Sequence, residues 1–268
     1  MPGQRRVKAL HLGDWSVAIK LDDSVTPVWR ERDADAPIPY DNGPPLPDRM
    51  TRGYVESSPE QKIAFVITGP RQVDILYSVS SDGADLGAIR SEKYTRSKNF
   101  VVNGAKDNDG TWRSFVVKPT VSDDTLEHNH RAGELDVEIW VGRLGDEVMN
   151  QNNQGLPGGT LTTAAVAKKT YAKQAYTLQL GEELPNSQFN AVSPRAFELH
   201  ESYLFRFHHN TRELLVASSN GSVPSIHEEE LGRVMVQRDA ALRELAQLRA
   251  ELRQPSAHEY NLRKRSPS

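Results

Sequence analysis

Apolar side chains recur at every second position along most of the chain before residue 220. Trp15, Val17, Ile19 and Leu21 fall on one side of their segment, with Ser16, Lys20 and Asp22 on the other. That is the two-residue period of a half-buried strand. Val73, Ile75, Tyr77 and Val79 alternate in the same way, as do Phe115 and Val117, and Leu135, Val137, Ile139 and Val141. Tyr176, Leu178 and Leu180 follow, and then Tyr203, Phe205 and Phe207. Ile63, Phe65 and Ile67 enclose Ala64 and Val66, so this segment reads as a strand buried on both faces. With weaker candidates around Leu86 and Val101, about eight to ten short strands are expected.

Turn chemistry separates them: Thr68-Gly69-Pro70, Ser81-Asp82-Gly83, Asp107-Asn108-Asp109-Gly110 and Gly181. No amphipathic helices intervene between the strands. The expected fold is therefore all-β, an antiparallel β-sandwich or jelly-roll-like domain over residues 1–222, rather than a parallel α/β sheet. Two stretches break the pattern. Residues 34–48 are proline-rich and read as a long loop, and residues 145–163, rich in Asn, Gln, Gly and Thr, read as a second one. Residues 164–173 could form a short helix.

The period then changes. From Ile226 to Arg253 there is no proline, no glycine after Gly232, and a dense mixture of Leu, Ala, Glu and Arg. Ser225 is placed to cap a helix, and Glu228 three residues later completes a capping box. Glu228, Glu229 and Glu230 suit the positive end of the helix dipole. Leu231, Met235, Leu242, Leu245 and Leu252 are spaced four, seven, three and seven apart, with Arg238 and Arg249 at the intervening seam positions. This predicts an extended, coiled-coil-like helix over 226–253, about 42 Å long at 1.5 Å per residue. Pro255 ends it, and residues 254–268 read as a disordered tail carrying Arg263-Lys264-Arg265 beside Ser266-Pro267.

Composition narrows the function classes. The net charge is −3 over 268 residues, which supplies no global attraction to nucleic acid or anionic membrane. The absence of cysteine excludes disulfides, thiolate nucleophiles and Cys-ligated metal centres. The first ten residues hold Arg5, Arg6 and Lys8 without an apolar run, and no stretch reaches the roughly 20 apolar residues of a membrane span. An intracellular location, cytoplasmic or nuclear, is expected.

Several segments resemble a family of fungal proteins defined only by a domain of unknown function. They are Gly53-Tyr54-Val55-Glu56-Ser57-Ser58-Pro59 running into Lys62-Ile63-Ala64-Phe65, Trp112 to Phe115, Gly133 to Trp140, and Tyr203 to Phe207 with Leu214. The resemblance spans roughly Val7 to Ala217. It implies a β-rich domain with a variable charged or helical tail, and brings with it no activity, cofactor or catalytic residue.

The sharpest chemical candidate is His128 and His130 with Glu134, two imidazoles two residues apart and a carboxylate, able to face one metal and similar to the first motif of cupins. Gly142 lies one residue beyond the position that pattern needs. Pro157-Gly158-Gly159 leads to threonines and alanines instead of the further histidine a second motif supplies. The bland alternative is a polar loop entering a strand. Asp107-Asn108-Asp109-Gly110 starts like a calcium loop, yet Lys118 stands where that loop needs glutamate, so a tight turn is the better reading. No Gly-x-Ser-x-Gly elbow and no phosphate-binding glycine loop are present. His208-His209 at a strand end reads as packing. Trp15, Trp29, Tyr54, Trp112 and Trp140 could line a carbohydrate-binding face, although large aromatics mostly serve the core.

The expectation is a non-enzymatic interaction or scaffold protein without cofactor. Its helix would self-associate or bind a protein partner through Leu231, Met235, Leu242, Leu245 and Leu252. A cupin-like metal enzyme and a carbohydrate-binding module are the alternatives, and neither membrane nor nucleic acid is expected as a partner.

Overall fold

The computed structural model describes residues 6–31, 49–86, 90–92, 99–107, 109–122, 131–144, 147–148, 165–166, 174–184, 193–194 and 197–253. The expected 34–48 loop and 254–268 tail lie outside them, as does most of 145–163. The chain divides into two compact units, Met1–Val223 and Pro224–Ser268.

The first unit is a sandwich of two sheets that does not close into a barrel. One sheet has the order Arg6–Val7, Val28–Arg30, Arg49–Glu56, Phe197–Asn210, Glu134–Leu144, Asp74–Ser81, Arg90–Glu92. The other runs Gly104–Lys106, Trp112–Pro119, Lys62–Thr68, Trp15–Leu21, Leu10–Leu12, with Asn99–Val102 also on Lys62–Thr68 and Tyr176–Glu183 also on Trp112–Pro119. The alternation predicted from the sequence sets which face each residue occupies. Trp15, Val17, Ile19 and Leu21 are buried while the residues between them are half-covered. Leu135, Val137 and Ile139 are fully buried, as are Phe205 and Phe207. Rings meet across the sandwich: Phe65 with Phe207 at 6.5 Å between centroids, Trp15 with Tyr203 at 6.3 Å, and Tyr77 with Phe100 at 6.1 Å. In the Lys62–Thr68 strand, Ala64 is buried but Val66 only half-buried, so its outer face is covered in part rather than fully.

Four features depart from the sequence reading. Arg49–Glu56 is a strand whose apolar alternation is interrupted by Gly53. A Cβ there would meet Val28 Cγ1 at 2.6 Å and Leu10 Cδ2 at 3.0 Å, so glycine is what allows the neighbouring strand and the core to close on it. That strand pairs in parallel with Phe197–Asn210, from Tyr203 opposite Arg49 to Asn210 opposite Glu56, where antiparallel pairing alone was expected. The two strands are far apart in sequence, so no hairpin constrains their direction. A short helix, α1 (Arg212–Ser218), follows the last strand; Thr211 caps it, its side chain accepting from the Leu214 N–H. Finally, Ala165–Val166 falls in the segment read as a short helix but is extended and pairs in parallel with Val121–Ser122. The β-branched Val166 and the shortness of the segment favour borrowing a neighbour's backbone over closing a helical turn.

The turns follow their chemistry. Asp82 at φ 53° and Gly83 at φ 83° join Asp74–Ser81 to Ala84–Asp85. The Asp107 loop is a hairpin turn: Gly110, at φ 85°, donates its N–H to the Asp107 carbonyl at 3.0 Å, and Asp107 Oδ1 accepts from the Asp109 and Thr111 amides at 3.0 and 3.1 Å. Asp107 also pairs with Arg113, and a side-chain hydrogen bond with Asp109, followed by the Arg113 donor and the two amides, holds its carboxyl down at about 2. The carboxylate is occupied as a turn anchor.

The second unit contains α2 (Ile226–Arg253), 28 residues long. The expected capping box is formed in both directions. The Ser225 N–H donates to Glu228 Oε2 at 2.8 Å, and the Glu228 N–H donates to Ser225 Oγ at 3.2 Å. These bonds hold the Glu228 carboxyl below its ordinary range.

Candidate functional site

Three constellations among the described residues carry polar or apolar groups that the fold places together. The first is α2. Its side chains are exposed from Ile226 to Glu251, including Leu231 at 62%, Met235 at 46%, Leu242 at 56% and Leu245 at 50%. Val234 and Leu248, each beside a seam position, are exposed too, which widens the apolar stripe beyond the residues named from spacing. The helix includes Leu252, whose side chain lies outside the described residues. Arg238 turns its guanidinium onto Asp239, at 3.1 Å from Nε and 2.8 Å from Nη2.

The second is a buried ionic cluster on the outer face of the sheet that holds Glu134–Leu144. Asp136 stands opposite Arg206 in register. Arg206 grips it with both prongs, Nε to Oδ1 at 2.8 Å and Nη2 to Oδ2 at 2.9 Å, with Asp136 only 1% exposed. This is the planar two-point geometry that suits guanidinium to carboxylate. Arg206 Nε also lies 3.3 Å from Glu134 Oε2, and Arg131 joins both carboxylates, at 3.1 Å from Glu134. Burial raises the Glu134 carboxyl above its ordinary value, and the Arg206 charge works against that rise. Beside it, His208 faces Glu134 across the strands and stacks on Tyr54 at 5.2 Å. Loss of hydration, followed by the Arg206 charge, lowers His208 to about 4.

The third lies at the end of the same strands. His209 is completely buried, its Nδ1 3.4 Å from Ser57 Oγ, and loss of hydration alone lowers it to about 4. Its Nε2 has no hydrogen-bond partner in the described structure. Nearby, Asp82 accepts from the Gly133 N–H at 2.6 Å, Thr177 Oγ1 at 2.8 Å and Gln174 Nε2 at 3.0 Å. Burial still raises its carboxyl. The cluster ties a turn, a strand entry and the Tyr176–Glu183 strand into one polar lock.

Chemically, the latter two are structural. A serine nucleophile needs a base that is itself oriented by a third group. The contact between Ser57 and His209 is long, both residues are buried, and among the described residues no carboxylate reaches the other nitrogen of His209. Of the metal candidate, His128 and His130 lie outside the described residues. Glu134 is described, and its carboxylate is held by Arg131 and Arg206, which already supply the positive charge an ion would bring. Among the described residues no group of three or more His, Asp or Glu side chains could hold a metal ion.

The five large aromatics do not share a face. Trp15 is in the core, while Trp29 and Tyr54 are buried with Leu215 and Val223. Trp29 lies between two guanidinium groups, Arg6 at 4.4 Å and Arg212 at 4.3 Å from its ring centre. Trp112 and Trp140 are half-buried and belong to different sheets. Periodicity found the helix stripe. It missed the ionic cluster, because the match of Asp136 to Arg206 depends on cross-strand register; the only sequence signal was a run of charges at every second position, Glu134, Asp136 and Glu138, on an otherwise apolar strand.

No helix among the described residues is long and apolar enough to cross a membrane. Comparison of the chain with protein-family models, with curated proteins and with solved structures finds no match. The fold and the described groups define a β-sandwich protein whose exposed apolar chemistry is concentrated on one long helix.

Proposed function

We propose that the protein is an interaction protein, in which the β-sandwich is a rigid platform and α2 is the segment that associates. The observation that carries this reading is the exposure of Leu231, Met235, Leu242 and Leu245 at coiled-coil spacing on a helix of 28 residues. A solitary helix with a solvent-exposed apolar stripe gains little from its own hydrogen bonds, because most helical stability in proteins comes from burying such a stripe. The capping box at Ser225 and Glu228 fixes where the helix starts.

The test is the solution mass by light scattering of the full chain and of a chain ending at Val223. Association of the full chain and a monomeric shorter chain is the expected result. Equal, monomeric masses, together with no change in circular dichroism when Leu242 and Leu245 are both replaced by proline, would remove the helix as an associating element.

A further inference from the structure

Accepting α2 as the associating segment, we infer that its partner is a second copy of the same helix, laid antiparallel and centred on Ala240. Charge decides the orientation. Continuing the seam spacing through the helix places Glu228, Arg238 and Arg249 in the same stripe as Leu231, Met235, Leu242 and Leu245. In a parallel, in-register pair, each seam residue meets its own copy. Glu228 would face Glu228, Arg238 would face Arg238 and Arg249 would face Arg249, so like charges would meet in three layers of the buried seam.

Reversing one helix removes all three clashes. The antiparallel register that keeps seam on seam over nearly the whole of Ile226–Arg253 sets Met235 against Leu245, Leu242 against Arg238 and Arg249 against Leu231. Each seam arginine then packs its methylene stem on a leucine. Arg238 already directs its guanidinium sideways onto Asp239, which is the outward turn that such packing requires. Arg249 comes within one helical turn of Glu228 of the second copy, which brings the seam arginine near the end of one helix to the acidic start of the other. The two macrodipoles also oppose each other in this arrangement. The charges that spoil a parallel pair therefore specify the antiparallel one, an orientation role that polar seam residues perform in coiled coils.

The chain has no cysteine, so one introduced cysteine gives one spin-label position per copy. The variants are His227→Cys, Ala240→Cys and Ala250→Cys, each in the full chain and each outside the seam. Label-to-label distances are read by pulsed dipolar spectroscopy, with light scattering on the same samples. In the antiparallel pair the two labels are offset along the axis by about 39 Å at 227 and about 30 Å at 250, and by nothing at 240. The expected result is a short distance at 240 and long distances at both ends. Short distances at all three positions would overturn the antiparallel assignment while leaving self-association standing. No dipolar coupling at any position, with a monomeric mass, would overturn this inference, and the association reading itself would then be decided by the circular dichroism of the chain with Leu242 and Leu245 both replaced by proline.

Discussion

Replacing His209 with asparagine should make the stability of the β-sandwich markedly less sensitive to acid. His209 is completely buried and loss of hydration holds it at about 4, against an ordinary histidine value of about 6.5. Between those two values the unfolded chain binds a proton that the folded chain refuses. Stability contributed by the neutral ring is therefore fully present above about pH 6.5 and is lost as the pH falls toward 4, at about 1.4 kcal/mol per pH unit. Across that window the loss is about 3 kcal/mol, a large fraction of the 5–15 kcal/mol typical of a domain.

His208 acts in the same sense, since loss of hydration holds it too at about 4. Asp82 and Glu134 act in the opposite sense: burial raises both, so they keep protons in the folded state that the unfolded chain has released, and acid relieves them. Taking the difference between the native chain and His209→Asn cancels what these shared groups contribute. The amide can still reach Ser57 from the Nδ1 position, and it does not titrate. All four tryptophans precede residue 223, so urea unfolding followed by tryptophan fluorescence reports on the sandwich unit. Measured at pH 7, 6, 5 and 4, the gap between native and variant stability should shift by about 3 kcal/mol in favour of the variant as the pH falls. A gap that stays constant with pH would mean that the His209 ring titrates in water-like surroundings, and the burial argument would fail.

Two further outcomes follow from named contacts. Arg206→Leu strips Asp136 of its two-point partner and leaves Arg131 alone to balance both Asp136 and Glu134, and should cost about 3 kcal/mol in the same unfolding assay; restoring stability by adding Asp136→Leu would confirm that the loss came from a buried carboxylate with too little positive charge beside it. Gly232 lies inside α2 with nothing within 4 Å of an added Cβ, so Gly232→Ala should raise helix stability by about 1 kcal/mol, seen as greater helical ellipticity on heating.

The strands that were legible in the sequence are those where an apolar residue at every second position coincides with one buried face. Glu134–Leu144 and Trp15–Leu21 are of this kind, because each lies on a single core. Arg49–Glu56 was not legible. Its inward positions are Thr51, Gly53 and Val55, and the glycine is demanded by neighbours that the sequence does not reveal. Its parallel pairing was equally hidden, since the direction of a pairing over such a separation is set by the whole sheet. The helix and its cap were legible because they depend on residues three and four apart. The ionic cluster was not, because it joins Arg131, Glu134 and Asp136 to Arg206 only once the strands are in register.

Phe197–Asn210 is the last strand of the sandwich in sequence, yet it sits in the interior of its sheet, between Arg49–Glu56 and Glu134–Leu144. On the ribosome, that sheet must wait. Until residue 210 has emerged, the strands destined to flank it are two separate edges with unsatisfied backbone groups, the kind of surface on which nascent chains pair wrongly. A premature stop before this strand would therefore yield two half-sheets without their common centre, instead of a slightly shortened domain. The protein's most vulnerable period lies in the interval of synthesis before its final strand slides into place.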